Sequence, residues 1–269
     1  MTVQGKARRA AREAGNSRFL TITARAGFAA SGLLHLLLGY LAIRVAFHQA
    51  GEPDQSGALA QLARLPGGTL ALWATVAGFA ALGSWLSIQA LLGIGSSSKK
   101  RWVRSVVSAA KAIAYFGLGA TALTFALGGS TDAKTSARNA SGTLLTLPGG
   151  VFLLLLAALV TAVIGGYLFV KGVRQKFRQD ITLPDGFAQK PLLALGVFGY
   201  VAKGVAIVAV GVLLAVAAVK LDPHGASGLD GALRSLAVLP FGQAILTVVG
   251  IGLIAYGLYS FARARLARL

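Results

Sequence analysis

Long apolar segments constrain this chain more than any other feature. Six of them stand between short polar connections, at residues 22–47, 68–94, 103–128, 149–173, 192–219 and 241–262. Each segment is long enough to cross the hydrocarbon core of a bilayer, which is ~30 Å thick. A backbone in lipid must satisfy its own hydrogen bonds, and no segment shows the alternating polarity of a barrel strand. The sequence therefore predicts an all-α membrane protein with six transmembrane helices.

The distribution of positive charge predicts how these helices are oriented. The 269 residues carry 26 Lys and Arg against 8 Asp and Glu, a net charge of +18. Eighteen of the basic residues lie at the termini and in the second and fourth connections, and five lie in the other three connections. Because cytoplasmic segments are enriched in Lys and Arg, we predict a multi-pass protein of the cell membrane with both termini in the cytoplasm. The basic residues would face anionic lipid headgroups there, which argues against nucleic acid as the partner.

The chain also contains an internal repeat. A Leu-Pro-x-Gly motif precedes the second, fourth and sixth helices, with its prolines at Pro66, Pro148 and Pro240. Glycines follow these prolines by 17 residues, at Gly83, Gly165 and Gly257. Further glycines recur in the helix before each motif, at Gly39, Gly119 and Gly211. Small residues at repeated positions allow close helix approach, and two helices per copy keep all copies in one orientation. We therefore predict three parallel two-helix repeats with pseudo-three-fold symmetry.

The repeat sets the predicted boundaries. Repeat 1 covers residues 22–94, repeat 2 covers 103–173 and repeat 3 covers 192–262, with a basic cytoplasmic segment at 1–21 and a basic cytoplasmic tail at 263–269. In repeats 1 and 3 the outer segments 57–65 and 229–239 carry leucines at helical spacing. This spacing predicts a short amphipathic helix at the outer membrane surface in each.

These motifs resemble those of a known family. Gly-aromatic-x-x-x-Gly runs from Gly27 to Gly32 and from Gly199 to Gly204, whereas the middle copy has Val107 in place of its first glycine. With the Leu-Pro-x-Gly motifs, this pattern resembles the membrane family catalogued as domain of unknown function 1206, over about residues 24–262. The resemblance implies a six-helix protein of the bacterial inner membrane, built from three repeats. It implies no activity.

Two lysines lie deep within predicted helices. Lys111 and Lys203 occupy the same repeat position, which holds Ser31 in the first copy. Both lie ~12–16 Å along the helix axis from the cytoplasmic end. One turn further on, His35 and Tyr115 share the helix face of Ser31 and Lys111. We expect both lysines to face the bundle interior, where these five side chains would form a cationic, hydrogen-bonding site in the cytoplasmic half.

Two functions remain open for these lysines. If they only extend to the headgroups, the protein is a non-enzymatic component that binds lipid or a partner, and this is the function we expect. Alternatively, they bind an anion, and the protein is an anion or lipid-headgroup channel or transporter. The sequence contains no cysteine and no catalytic constellation, so we expect no enzymatic activity, no cofactor and no metal. A homo-oligomer or a protein partner is left open. Six aromatic residues near span ends are expected in interfacial belts: Trp73, Trp85, Trp102, Tyr167, Tyr256 and Tyr259.

Overall fold

A computed structural model of the chain describes residues 18–92, 98–183 and 189–267. Within these ranges there are nine α-helices, which are α1 (Arg18–Ala46), α2 (Gln55–Ala63), α3 (Gly68–Leu92), α4 (Ser98–Ala126), α5 (Ala133–Thr146), α6 (Gly150–Val173), α7 (Gln189–Lys220), α8 (Gly228–Ala237) and α9 (Gly242–Leu266). Most of the predicted N-terminal segment and the last two residues of the predicted tail lie outside the described residues.

The prediction of an all-α protein with six spans is confirmed. The helices α1, α3, α4, α6, α7 and α9 are long and apolar enough to cross a membrane. In the described ranges, extended pairing is limited to one isolated bridge between Ile181 and Ala267. The last span continues to Leu266, beyond the predicted end at residue 262, so Arg263 belongs to the helix.

The Leu-Pro-x-Gly motifs form the same tight turn in all three copies. The residue after each proline has positive φ, at Gly67 (75°), Gly149 (74°) and Phe241 (59°). In the middle copy, the amide of Gly150 donates to the carbonyl of Leu147 (2.9 Å). A Cβ on Gly150 would lie 1.7 Å from the carbonyl oxygen of Leu144. The second glycine is therefore needed because the end of the short helix folds directly onto the start of the span.

Three short helices lie before these turns and define the cap end of the molecule. The two predicted short helices are present as α2 and α8, and α5 adds a third in the middle copy. Leu59, Leu62 and Leu233 are buried beneath the cap, while Leu65 is exposed. The opposite end, where α1 begins and α9 ends, carries most of the charge and is called the basic end.

The spans form an incomplete ring. The second span of each repeat packs extensively against the first span of another repeat. These pairs are α3 with α4, α6 with α7, and α9 with α1. Within the repeats, α1 packs on α3 and α7 packs on α9. Buried residues of α1, α3, α4 and α9 meet in one core, which curves the row of helices. The described parts of α4 and α6 share no comparable interface, so the packing departs from three-fold symmetry there and leaves the ring open.

Glycines explain why two of the three main interfaces are tight. A Cβ on Gly257 would lie 2.8 Å from the carbonyl oxygen of Gly32, so α9 and α1 touch through their backbones. A Cβ on Gly165 would lie equally close to the carbonyl oxygen of Gly204, at the α6–α7 crossing. In the middle copy, a Cβ on Gly119 would meet its nearest atom of α3 only at 3.5 Å. The predicted close approach is thus present where α1 meets α9 and where α6 meets α7, and it is weaker where α3 meets α4.

A buried carboxylate holds the cap together. Asp230 of α8 is 1% exposed and accepts from Arg234 (2.8 Å), and Lys134 of α5 lies 3.6 Å away. Arg234 also donates to the carbonyl of Gly51, which follows α1 (2.6 Å). This ion-pair group therefore joins elements of all three repeats.

A second buried acid makes the stability of the cap depend on pH. Asp54 caps α2 by accepting from the amide of Gly57 (2.8 Å). Burial raises the pKa of Asp54 from 3.8 to about 6, and the negative charges of Asp230, Glu52 and Asp132 add to the effect.

Because its folded pKa is raised, Asp54 contributes stability that is complete below pH 3.8 and is lost as the pH rises through about 6. The two pKa values correspond to at most about 3 kcal/mol. We expect Asp54→Asn, which keeps the capping oxygen, to abolish this loss when apparent melting temperature in detergent is followed against pH. Asp132→Asn is the matched control. A hydrogen bond from Thr135 lowers the pKa of Asp132, so its contribution has the opposite sign. An unchanged pH profile for Asp54→Asn would refute the prediction.

Candidate functional site

On α1 the predicted site residues point into the ring. Ser31 and Ala42 lie on one face of α1, and both are buried. His35 lies on the same face, and its Nδ1–H donates to the carbonyl oxygen of Ser31 (2.7 Å). This hydrogen bond fixes the orientation of the imidazole inside the ring of helices. Within the described residues, no group of three or more His, Cys, Asp and Glu side chains is close enough to hold a metal.

On α4 the predicted residues follow the same inward face. Lys111 and Tyr115 share it with Ala122, which is fully buried. The Tyr115 ring is half-buried and lies 5.7 Å from the ring of Phe79 on α3. Lys111 is exposed, since α4 borders the open side of the ring. Whether its side chain turns toward the interior stays a prediction.

On α7 the predicted lysine meets the histidine of α1 across an aromatic ring. Lys203 is half-buried, and its Nζ lies 4.2 Å from the ring centroid of Tyr256 on α9. The His35 ring lies 4.6 Å from the same tyrosine. The structure thus brings Lys203 and His35 into contact with the same side chain, Tyr256. Ser31 takes part through its backbone carbonyl, which accepts the hydrogen bond from His35. Lys111 and Tyr115 stand on the other border of the interior.

Two further cations line this region, and sequence reasoning missed them. Lys171 of α6 has its Nζ 5.2 Å from the ring centroid of Tyr200, and its side chain is 14% exposed. The guanidinium carbon of Arg263 lies 4.3 Å from the ring centroid of Phe28 on α1. A signal for them was available, because both follow the proline of their repeat by 23 residues. However, both lie at the ends of apolar segments, where basic residues are expected for topology alone.

A buried aromatic cluster forms the wall behind these cations. Tyr200, Tyr256 and Tyr259 are buried together with Phe177, with ring centroids 5.2–5.6 Å apart for Tyr200 and its three neighbours. The expectation that Tyr256 and Tyr259 belong to an interfacial belt is wrong, because α9 turns both toward α7 rather than toward lipid. Tyr167, at the matching position of α6, is 58% exposed.

Phe177 and Ile181 anchor the connection after α6 against this wall. Both are fully buried. The amide of Thr182 donates to the carbonyl of Leu266 (2.8 Å), which ties the connection to the end of α9. Asp180 in the same connection pairs with Lys171. The connection therefore covers the basic end of the α6–α7–α9 group.

An apolar groove lies outside the ring and apart from the cations. Its volume is ≈ 700 Å³, and its lining includes Phe169 of α6, Val205 of α7 and Leu236. Val205 follows Lys203 by two residues, roughly 200° around the helix. The groove and Lys203 therefore occupy opposite sides of α7.

The fold defines a class of protein, namely a multi-pass membrane protein of three tandem helix-pair repeats. The chain belongs to the family described as Domain of Unknown Function (DUF1206), whose model matches residues 26–93, 106–175 and 198–267. This match confirms the predicted family and the three-repeat organisation. A curated relative, "Uncharacterized protein YxxB" of Bacillus subtilis (strain 168), is 31% identical over 245 residues, which are 89% of this chain and 88% of the relative. No solved structure matches.

Proposed function

We propose that this protein is a non-enzymatic membrane component that binds an anionic group at its basic end. The observation that carries the proposal is the position of Lys203, which is half-buried over Tyr256 beside His35. A lysine in such a place is costly unless its charge is solvated or paired, and an anion would supply that pairing. Lys111, Tyr115 and Ser31 complete the inward-facing polar set.

The interior at the cap end favours binding over permeation. Apolar side chains of α1, α4 and α9 fill that half, among them Leu38, Ala42, Phe125 and Leu246. The buried leucines of the cap helices close it further. A charged ligand would have no polar path through this core. A channel or transporter would require the core to open, so it stays the alternative.

In this proposal the basic end lies in the cytoplasm, both termini are cytoplasmic, and the membrane is the bacterial inner membrane. The charge asymmetry supports that orientation, and the bacterial relative supports that membrane. The partners would be anionic headgroups of the inner leaflet or the acidic group of a protein partner.

Removing the two interior lysines tests the proposal. Lys203→Met and Lys111→Met keep side-chain length and remove the charge, so we expect phosphatidylglycerol retained in native mass spectra to fall about tenfold. Lys176→Met is the matched control, since Lys176 is exposed at the same end. Apparent melting temperature reports whether each variant still folds.

Anion flux in liposomes separates the two functions. Retained lipid without flux in the native protein supports the binding function. Flux that both lysine variants abolish would replace it with the channel or transporter. Equal lipid retention in the native protein, both lysine variants and Lys176→Met would refute a site at these lysines.

A further inference from the structure

We infer that Lys171 and Arg263 complete this site, and that the four cations bind the phosphate of an anionic phospholipid that enters sideways between α4 and α6. The inference rests on the proposed function and extends it by two residues, a ligand class and a route.

The repeat makes Lys171 and Arg263 equivalent to each other, as it does Lys111 and Lys203. In the first copy, Gln89 holds the position of Lys171 and Arg263. Ser31 holds the position of Lys111 and Lys203. Repeat 1 thus contributes neutral polar groups, whereas repeats 2 and 3 contribute all four cations. Two of these cations, Lys111 and Lys171, lie on α4 and α6, the spans that border the opening, whereas Lys203 and Arg263 lie on α7 and α9.

Two of the cations lie over one aromatic wall. The Lys171 Nζ lies 5.2 Å from the ring centroid of Tyr200, the Lys203 Nζ lies 4.2 Å from that of Tyr256, and the two ring centroids are 5.2 Å apart. One carboxylate against four cations leaves the site with unbalanced positive charge. Like charges held together in this way repel each other unless an anion lies between them.

Two buried donors at this site make no hydrogen bond of standard geometry to the protein. The hydroxyl of Tyr259 is fully buried, with the Tyr200 ring beside it, and makes no such bond among the described residues. The Nε of Arg263, one turn further along α9, is also buried and makes no hydrogen bond among the described residues. Buried donors are nearly always paired, and a phosphate offers several acceptor oxygens to an arginine and a hydroxyl. These donors point to a ligand rather than to a packed core.

The surroundings favour a lipid over a free phosphate. The connection carrying Phe177 and Ile181 covers the basic end of the α6–α7–α9 group, which hinders an ion arriving from water. The opening between α4 and α6 faces the bilayer, and Lys111 and Lys171 stand on its two borders. A lipid can place its headgroup between these lysines while its chains remain in the membrane. Asp180, which now pairs with Lys171, would compete with that headgroup.

Lipid retention in nanodiscs of mixed phosphatidylglycerol and phosphatidylcholine tests the inference by native mass spectrometry. Lys171→Gln and Arg263→Gln introduce the side chain that the first copy carries at this position, and we expect each to lower phosphatidylglycerol retention about tenfold. Arg174→Gln, at an exposed arginine of the same end, should leave it unchanged. Asp180→Asn should raise retention several-fold, a gain that misfolding cannot produce.

The outcomes distinguish this inference from the proposed function. If Lys111→Met and Lys203→Met lose lipid while Lys171→Gln and Arg263→Gln retain it, the binding function stands and the inference fails. If all four retain it, both fail. Displacement of the lipid by excess inorganic phosphate would show that the site takes the free ion, which overturns the lipid route. Loss in all four variants, a gain in Asp180→Asn and no displacement would establish the inference.

Discussion

Replacing Gly39 with alanine is expected to force α1 away from α9 and to lower the apparent melting temperature in detergent by roughly 5–10 °C. A Cβ on Gly39 would lie 2.5 Å from the carbonyl oxygen of Gly250 and 2.9 Å from the amide nitrogen of Ile254. Both are backbone atoms, so no side chain can rotate away. Overpacking of this kind costs about 1–3 kcal/mol, and the α1–α9 pair is one of the largest interfaces.

Gly119→Ala is the matched control, because Gly119 holds the same repeat position in α4. A Cβ there would lie 3.5 Å from the Cβ of Phe79, an ordinary contact. We expect little change in melting temperature. An equal fall in melting temperature in both variants would show that these glycines affect stability through their own helix backbone and not through the distance between helices.

Replacing Phe177 with alanine is expected to cost about 3–5 kcal/mol, because the removed ring is fully buried. Its centroid lies 5.4 Å from that of Tyr200 and 5.3 Å from that of Tyr259. The ring also rests on Gly196, where a Cβ would approach it to 2.4 Å. Phe177 belongs to a connection between spans, so its burial removes apolar surface from water and not from lipid.

Hydrogen exchange localises this effect. Amides of residues 176–183 should exchange faster in Phe177→Ala, since the connection loses its main anchor, while amides of the cap helices should keep their protection. Phe152→Ala is the control, because Phe152 is 77% exposed on α6 and contributes little to the fold. Unchanged exchange at 176–183 would mean that the connection is held by its backbone bonds alone.

Features with a local cause could be predicted from the sequence. The spans follow from apolar length, because the bilayer sets the same requirement for every helix. The Leu-Pro-x-Gly turn follows from proline and glycine, whose backbone preferences act within a few residues. The short helices α2 and α8 follow from leucine spacing. In α5 that spacing is weak, yet a helix forms with Asp132 as its N-cap, so the local signal there was the cap and not the apolar face.

The candidate site was predicted only in part. Lys111 and Lys203 can be identified as candidates from the sequence, because charge deep within an apolar segment is unusual. Lys171 and Arg263 lie at the ends of apolar segments, where basic residues are expected for topology alone. Hydropathy does not show that α9 continues to Leu266, because that end is supported by contacts with the connection after α6.

The sequence by itself determined that this chain crosses the membrane as six helices in three copies of one helix pair, because hydrophobic length, turn chemistry and internal repetition all act locally. Only the tertiary structure decided where the ring stays open and which charges meet inside it. The physical reason is that helix contacts depend on the shape of both partners. The tight glycine crossings of α1 with α9 and of α6 with α7 have no equal between α3 and α4, and α4 and α6 do not close the ring. No single segment carries that information, since each interface joins residues from two different repeats.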